Sequence, residues 1–119
     1  MRQIMNMNFS FERTDNVVVF TLKNPNLDME ISAQLKAKLL ILCQPDVEAL
    51  VFDLTNIEYV DSSGLGALLL AYRQMKEFGS SIALVGVQDV VRKMLAISQI
   101  EDLFEYFDTL PEAIDSFKE

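Results

Sequence analysis

Residues 61–64 read Asp-Ser-Ser-Gly, a carboxylate, two hydroxyls and a glycine between an apolar strand-like run and an apolar helix-like run. Nucleophilic catalysis by a serine of the common triad kind needs an imidazole base, and the chain has no histidine. The same lack removes an imidazole metal site. Two chemistries remain. Asp61 and the serines can cap the helix, because the first turn has amides without intrahelical acceptors. Alternatively, one serine is a phosphoryl acceptor, and its phosphate would be held by those amides and by about half a positive charge of helix dipole. Gly64 and Gly66 remove two Cβ atoms from the same turn. Glycine costs about 0.5–1 kcal/mol against alanine in a helix, so the pair implies close approach to the backbone, by a ligand group or by the sheet.

Two other chemistries are weighed against this site. Asp53 ends a predicted strand, as the phosphoacceptor of a receiver domain does. That chemistry needs a divalent ion, further carboxylates at the end of the first strand and a lysine at the end of the last. The chain offers Glu12-Arg13 and Tyr106-Phe107-Asp108 instead, so Asp53 is expected to form an Asx-type turn through Thr55 and Asn56. Gly64 and Gly66 also open a helix after a strand, but neither G-x-x-x-x-G-K-[ST] nor G-x-G-x-x-G is present.

The elements that must position the serines follow from periodicity. Phe9 and Phe11 alternate with polar residues, which predicts a half-buried strand. VVVFTL (17–22), ALVFDL (49–54) and SIALVGV (81–87) are continuous apolar runs of buried-strand type. Asn24-Pro25-Asn26 breaks the chain before a helix whose Leu27, Ile31, Leu35, Leu39 and Leu42 share one face, with Asp28 as N-cap and Pro45 beyond its end. The spacing predicts a second helix over 62–78, stopped by Gly79. Its core stripe is expected to be Leu65, Leu68, Leu69, Tyr72 and Met75. A second face, Ser63, Ala67, Leu70 and Gln74, starts at the serines and suits a neighbouring helix or a partner protein. A short helix over 89–98, a strand over 104–107 and a capping box at Thr109–Glu112 complete the pattern. Strands and helices alternate after an opening β-hairpin. The expected fold is therefore a single α/β domain spanning 1–119, with a mixed, mostly parallel sheet of four to five strands and helices packed on it.

Composition limits the partners. The 119 residues carry 10 basic and 18 acidic side chains, a formal charge of −8, which disfavours nucleic acid and anionic membranes. No apolar run reaches the roughly 18 residues of a membrane span, and MRQIMNMNFS has no signal-peptide core, so insertion into a membrane is not expected and a cytoplasmic location is. The single Cys43 excludes an internal disulfide and is expected to be a buried, idle thiol.

DLTNIEYVDSSGLGALL (53–69), Leu27-Asp28 and SIALVGVQDVVRKMLAISQIEDLF (81–104) together resemble the STAS domain of the anti-sigma factor antagonist family. One departure is the loop Asn24-Pro25-Asn26, where the family often has a glycine. The resemblance implies partner switching. The unphosphorylated domain would bind an anti-sigma factor that is also a serine kinase, with ATP bound by that partner. The kinase would phosphorylate Ser62, with Ser63 the rival acceptor. Phosphorylation would release the kinase, and a PP2C-type phosphatase would reverse it. Asp28, Asp61, Ser62, Ser63, Gly64, Ala67 and Leu70 would form the partner surface. The chain would be a substrate and a ligand, not an enzyme, with no cofactor or metal of its own. The competing implication is a non-switching STAS subunit of a transport or signalling-scaffold assembly.

Overall fold

The structure, a computed structural model, describes residues 9–118. The run of β-branched and aromatic residues at 17–22 forms the interior strand β2 (Val17–Leu22), paired antiparallel with β1 (Phe9–Thr14) through a tight hairpin in which Asp15 adopts positive φ. β2 then pairs in parallel with β4 (Ala49–Asp53), β4 with β6 (Ser81–Val85), and β6 with β7 (Glu105–Phe107). The sheet order is β1-β2-β4-β6-β7, five strands as expected, with only the first pair antiparallel. Register places Phe11, Phe20 and Phe52 side by side across three strands, and the Phe20 and Phe52 rings lie 5.9 Å apart.

Each parallel step needs a crossover helix. α1 (Met29–Leu42), α2 (Ser62–Glu77) and α3 (Asp89–Ile97) supply these and bury one face of the sheet around Phe20, Leu35, Leu39, Phe52, Leu68 and Leu84. On the other face, α4 (Leu110–Ser116) covers Val51, Ala83 and Val85 with Ala113, Ile114 and Phe117. Thr109 and Glu112 form the predicted capping box, and Gly79 stops α2 at φ +73°. Cys43 ends α1 in the core, where burial pushes its thiol up to about 11.

Two things depart from the sequence reading. A separate two-stranded parallel ladder joins β3 (Asn26–Leu27) to β5 (Tyr59–Val60), two residues each, too short to carry a periodicity. The buried arc of α2 is also turned from the predicted stripe. Gly64, Ala67, Leu68, Ala71 and Met75 are buried, while Leu65, Leu69 and Tyr72 are partly exposed. The reason is helix–helix contact. α2 packs against α1 as well as the sheet, and its small residues take the more enclosed side.

Candidate functional site

The β3–β5 ladder makes the site. Its register sets Leu27 beside Val60, so the next residues, Asp28 and Asp61, emerge together at the starts of α1 and α2. Both aspartates are N-caps. Asp28 Oδ1 accepts from the Ile31 amide at 3.2 Å, and Asp61 Oδ1 accepts from the Gly64 amide at 2.9 Å. Asp61 does more than cap its own helix. Its Oδ2 accepts from the Met29 amide, the first of α1, at 3.1 Å. One carboxylate thus ties two helix N-termini together, each with about half a positive charge.

Ser62 is the first residue of α2 and is exposed; Ser63 is partly exposed. The amides of Gly64 and Leu65 are taken, by Asp61 Oδ1 and by the Asp61 carbonyl at 2.9 Å. Those of Ser62 and Ser63 have no protein acceptor among the described residues. A group attached to either hydroxyl therefore meets two open amides at the positive end of a helix.

The remaining predicted residues divide. Leu70 is partly exposed. Ala67, expected on the partner surface, is fully buried in the core and has no surface to offer. Gln74, on the same predicted face, turns to α1. Its Nε2 donates to the Cys43 carbonyl at 2.8 Å and to the Leu39 carbonyl at 3.3 Å, satisfying acceptors at the end of that helix. That face is divided between a helix–helix seam and a free remainder, Ser63 and Leu70. Gly64 is also withdrawn from any partner, because a Cβ there would strike the Leu27 carbonyl oxygen and lie 2.7 Å from Val60 Cγ1. The close approach implied by this glycine comes from the chain's own ladder. Gly66 differs, since a Cβ there would meet nothing within 4 Å. Asp53 forms the expected Asx turn, its Oδ1 accepting from the Thr55 amide at 3.1 Å and the Thr55 hydroxyl at 2.5 Å.

Sequence reasoning missed the second bond of Asp61. A signal was available, because Leu27-Asp28 and Val60-Asp61 are the same apolar-Asp pair placed just before a helix. Asp61→Ala removes both bonds, and a lost cap costs about 0.5–2 kcal/mol. The expected loss is about 2 kcal/mol, read as a lower melting temperature and a lower denaturant midpoint. Asp61→Asn keeps one acceptor oxygen and so one of the two bonds, and should lose about half as much. A loss below about 0.5 kcal/mol for Asp61→Ala, well under one ordinary cap, would show that the bridge to Met29 contributes nothing.

Residues 8–113 match the STAS domain family, and the chain belongs to that family. Among curated relatives, the anti-sigma-B factor antagonist of Listeria monocytogenes is 27% identical over 103 residues, covering 83% of this chain and 89% of that protein. Among solved structures, the anti-sigma factor antagonist SpoIIAA in its unphosphorylated form superposes with a TM-score of 0.74 at 26% identity, covering 92% of this chain and 96% of that one. The Bacillus cell fate determinant SpoIIAA in its phosphorylated form gives 0.75 at 26% identity, covering 93% and 100%.

Proposed function

We propose that the chain is an anti-sigma factor antagonist that switches partners through phosphorylation of Ser62. The unphosphorylated domain binds an anti-sigma factor that is a serine kinase, and the kinase brings the ATP. Phosphorylation releases the kinase, and a PP2C-type phosphatase regenerates the binding form. The chain itself is the substrate and the ligand, not the enzyme, and it works in the cytoplasm.

The observation that carries this reading is the exposed Ser62 hydroxyl at the first position of α2, beside two amides without acceptors among the described residues. Ser63 is less exposed and one position further into the helix, which makes it the second choice. The SpoIIAA relative, solved in both phosphorylated and unphosphorylated forms, supports a phosphate on this fold. In this reading the partner covers Asp28, Asp61, Ser62, Ser63 and Leu70. It also uses the space over Gly66, where a Cβ would meet nothing within 4 Å among the described residues. Incubation with the cognate kinase and ATP should add one phosphate, mapped by mass spectrometry to Ser62 and absent from Ser62→Ala. Phosphate found only on Ser63 would reassign the switch.

A further inference from the structure

α1 is apolar on two sides. Its inner arc, Ile31, Leu35 and Leu39, lies in the core. At roughly 100° per residue, Met29, Ala33, Ala37, Leu40 and Ile41 share the opposite arc, and all five are exposed. The large ones are strongly so, Met29 at 71%, Leu40 at 60% and Ile41 at 67%. A core helix needs one apolar arc, and its outer arc is ordinarily polar. This one carries only Glu30 among its apolar residues, and Gln34, Lys36 and Lys38 stand at its margins. The stripe runs about 18 Å, twelve helical rises of about 1.5 Å from Met29 to Ile41.

We infer that this outer face of α1 is the second half of the surface that holds the Ser62-sensitive partner. The inference rests on the proposed function and adds where the partner's remaining contact lies. Two facts select this occupant. The stripe begins at Met29, whose amide is bonded to the Asp61 carboxylate next to Ser62. A partner covering an ordinary area of about 800 Å² on this chain has a footprint about 16 Å in radius, so one centred between Ser62 and the far end of the stripe covers both. Size also argues against a second copy of this chain. A strip about 18 Å long and one helix wide, paired with itself, buries too little for the roughly 1,200 Å² or more of a stable complex. The partner's complementary surface is aliphatic or aromatic, with acidic residues at the edge that meets Lys36, which forms no ion pair among the described residues.

The test uses the full chain. The partner is first isolated as the protein retained by immobilised wild type and Ser62→Ala but not by Ser62→Asp, and is purified as a single species. It is then titrated calorimetrically with wild type, Leu40→Glu, Ile41→Glu and the conservative Ile41→Leu. Leu40→Glu and Ile41→Glu should each weaken binding at least about thirtyfold, the loss typical of a central contact residue, with melting temperatures unchanged and Ile41→Leu binding as wild type. Affinities within about twofold of wild type would overturn the α1 face while leaving the Ser62 reading standing. A concentration-dependent dimer in sedimentation equilibrium, dispersed by Ile41→Glu with partner affinity unchanged, would assign the stripe to a second copy. Failure to retain any protein in a Ser62-dependent way would overturn the switching reading and this inference with it.

Discussion

Phosphorylation of Ser62 is expected to weaken partner binding by about a hundred- to several-thousand-fold and to leave the fold nearly unchanged. A phosphoserine carries about −1.5 to −2 charges at pH 7. Within the chain this charge meets opposed influences. The open amides of Ser62 and Ser63 and the dipole of α2 stabilise it by about 0.3–1 kcal/mol, while the Asp61 carboxylate beside it repels it. Ser62 is exposed, so no core contact is disturbed. Under a bound partner the same charge is desolvated without a counter-ion, at a cost of about 3–5 kcal/mol. At about 1.4 kcal/mol per tenfold, that gives the stated range. Ser62→Asp has less charge and a shorter reach, and should weaken binding at least about tenfold by the same conversion. Ser62→Ala adds no charge and should bind as the unmodified chain does.

Gly64→Ala and Gly66→Ala, two residues apart in one helical turn, are expected to act in opposite directions. At Gly64 the added Cβ meets the Leu27 carbonyl, 2.7 Å from Val60 Cγ1 and 2.9 Å from Leu27 Cγ. The carbonyl cannot swing aside, because it accepts the Asp61 amide at 3.2 Å within the ladder that aligns both helix starts. Overpacking costs about 1–3 kcal/mol and more where backbone must move, against a propensity gain of about 1 kcal/mol. At the top of that range, where backbone must move, the net expectation is a loss of about 2 kcal/mol. The site should be disturbed with it, since Asp61 can no longer reach Met29. At Gly66 nothing opposes the methyl, so the gain of about 0.5–1 kcal/mol stands alone. Melting temperatures of the two variants give the contrast directly. A stabilised Gly64→Ala would mean that the β3–β5 ladder is not fixed as described.

The long elements were legible in the sequence because each has a period to read. The three continuous apolar runs became β2, β4 and β6, and the Thr109–Glu112 pattern became a capping box. Asp28 capped its helix as expected. What escaped reading has no period. A two-residue strand such as β3 or β5 shows no alternation, yet that pair brings Asp61 to Met29. The face of α2 that carries Ala67 and Gln74 read as suited either to a neighbouring helix or to a partner, and the sequence did not decide between them; Ala67 is buried and Gln74 bonds to α1. Their burial depends on where α1 lies, which no local pattern encodes. The outer arc of α1 illustrates the converse. Its apolar residues were visible in the chain, but only the fold reveals that they stay uncovered.

The central claim is that one phosphate on Ser62 decides whether the partner is held. Its most direct measurement is calorimetric titration of the purified cognate kinase with three forms of this chain: unmodified, phosphorylated at Ser62 as mapped by mass spectrometry, and Ser62→Ala, each with its melting temperature. The account predicts equal, tight binding for the unmodified and Ser62→Ala chains. It predicts at least about a hundredfold weaker binding for the phosphorylated chain, with all three melting within a few degrees of one another. Equal affinities for the phosphorylated and unmodified chains would contradict it and favour a docking subunit that does not switch.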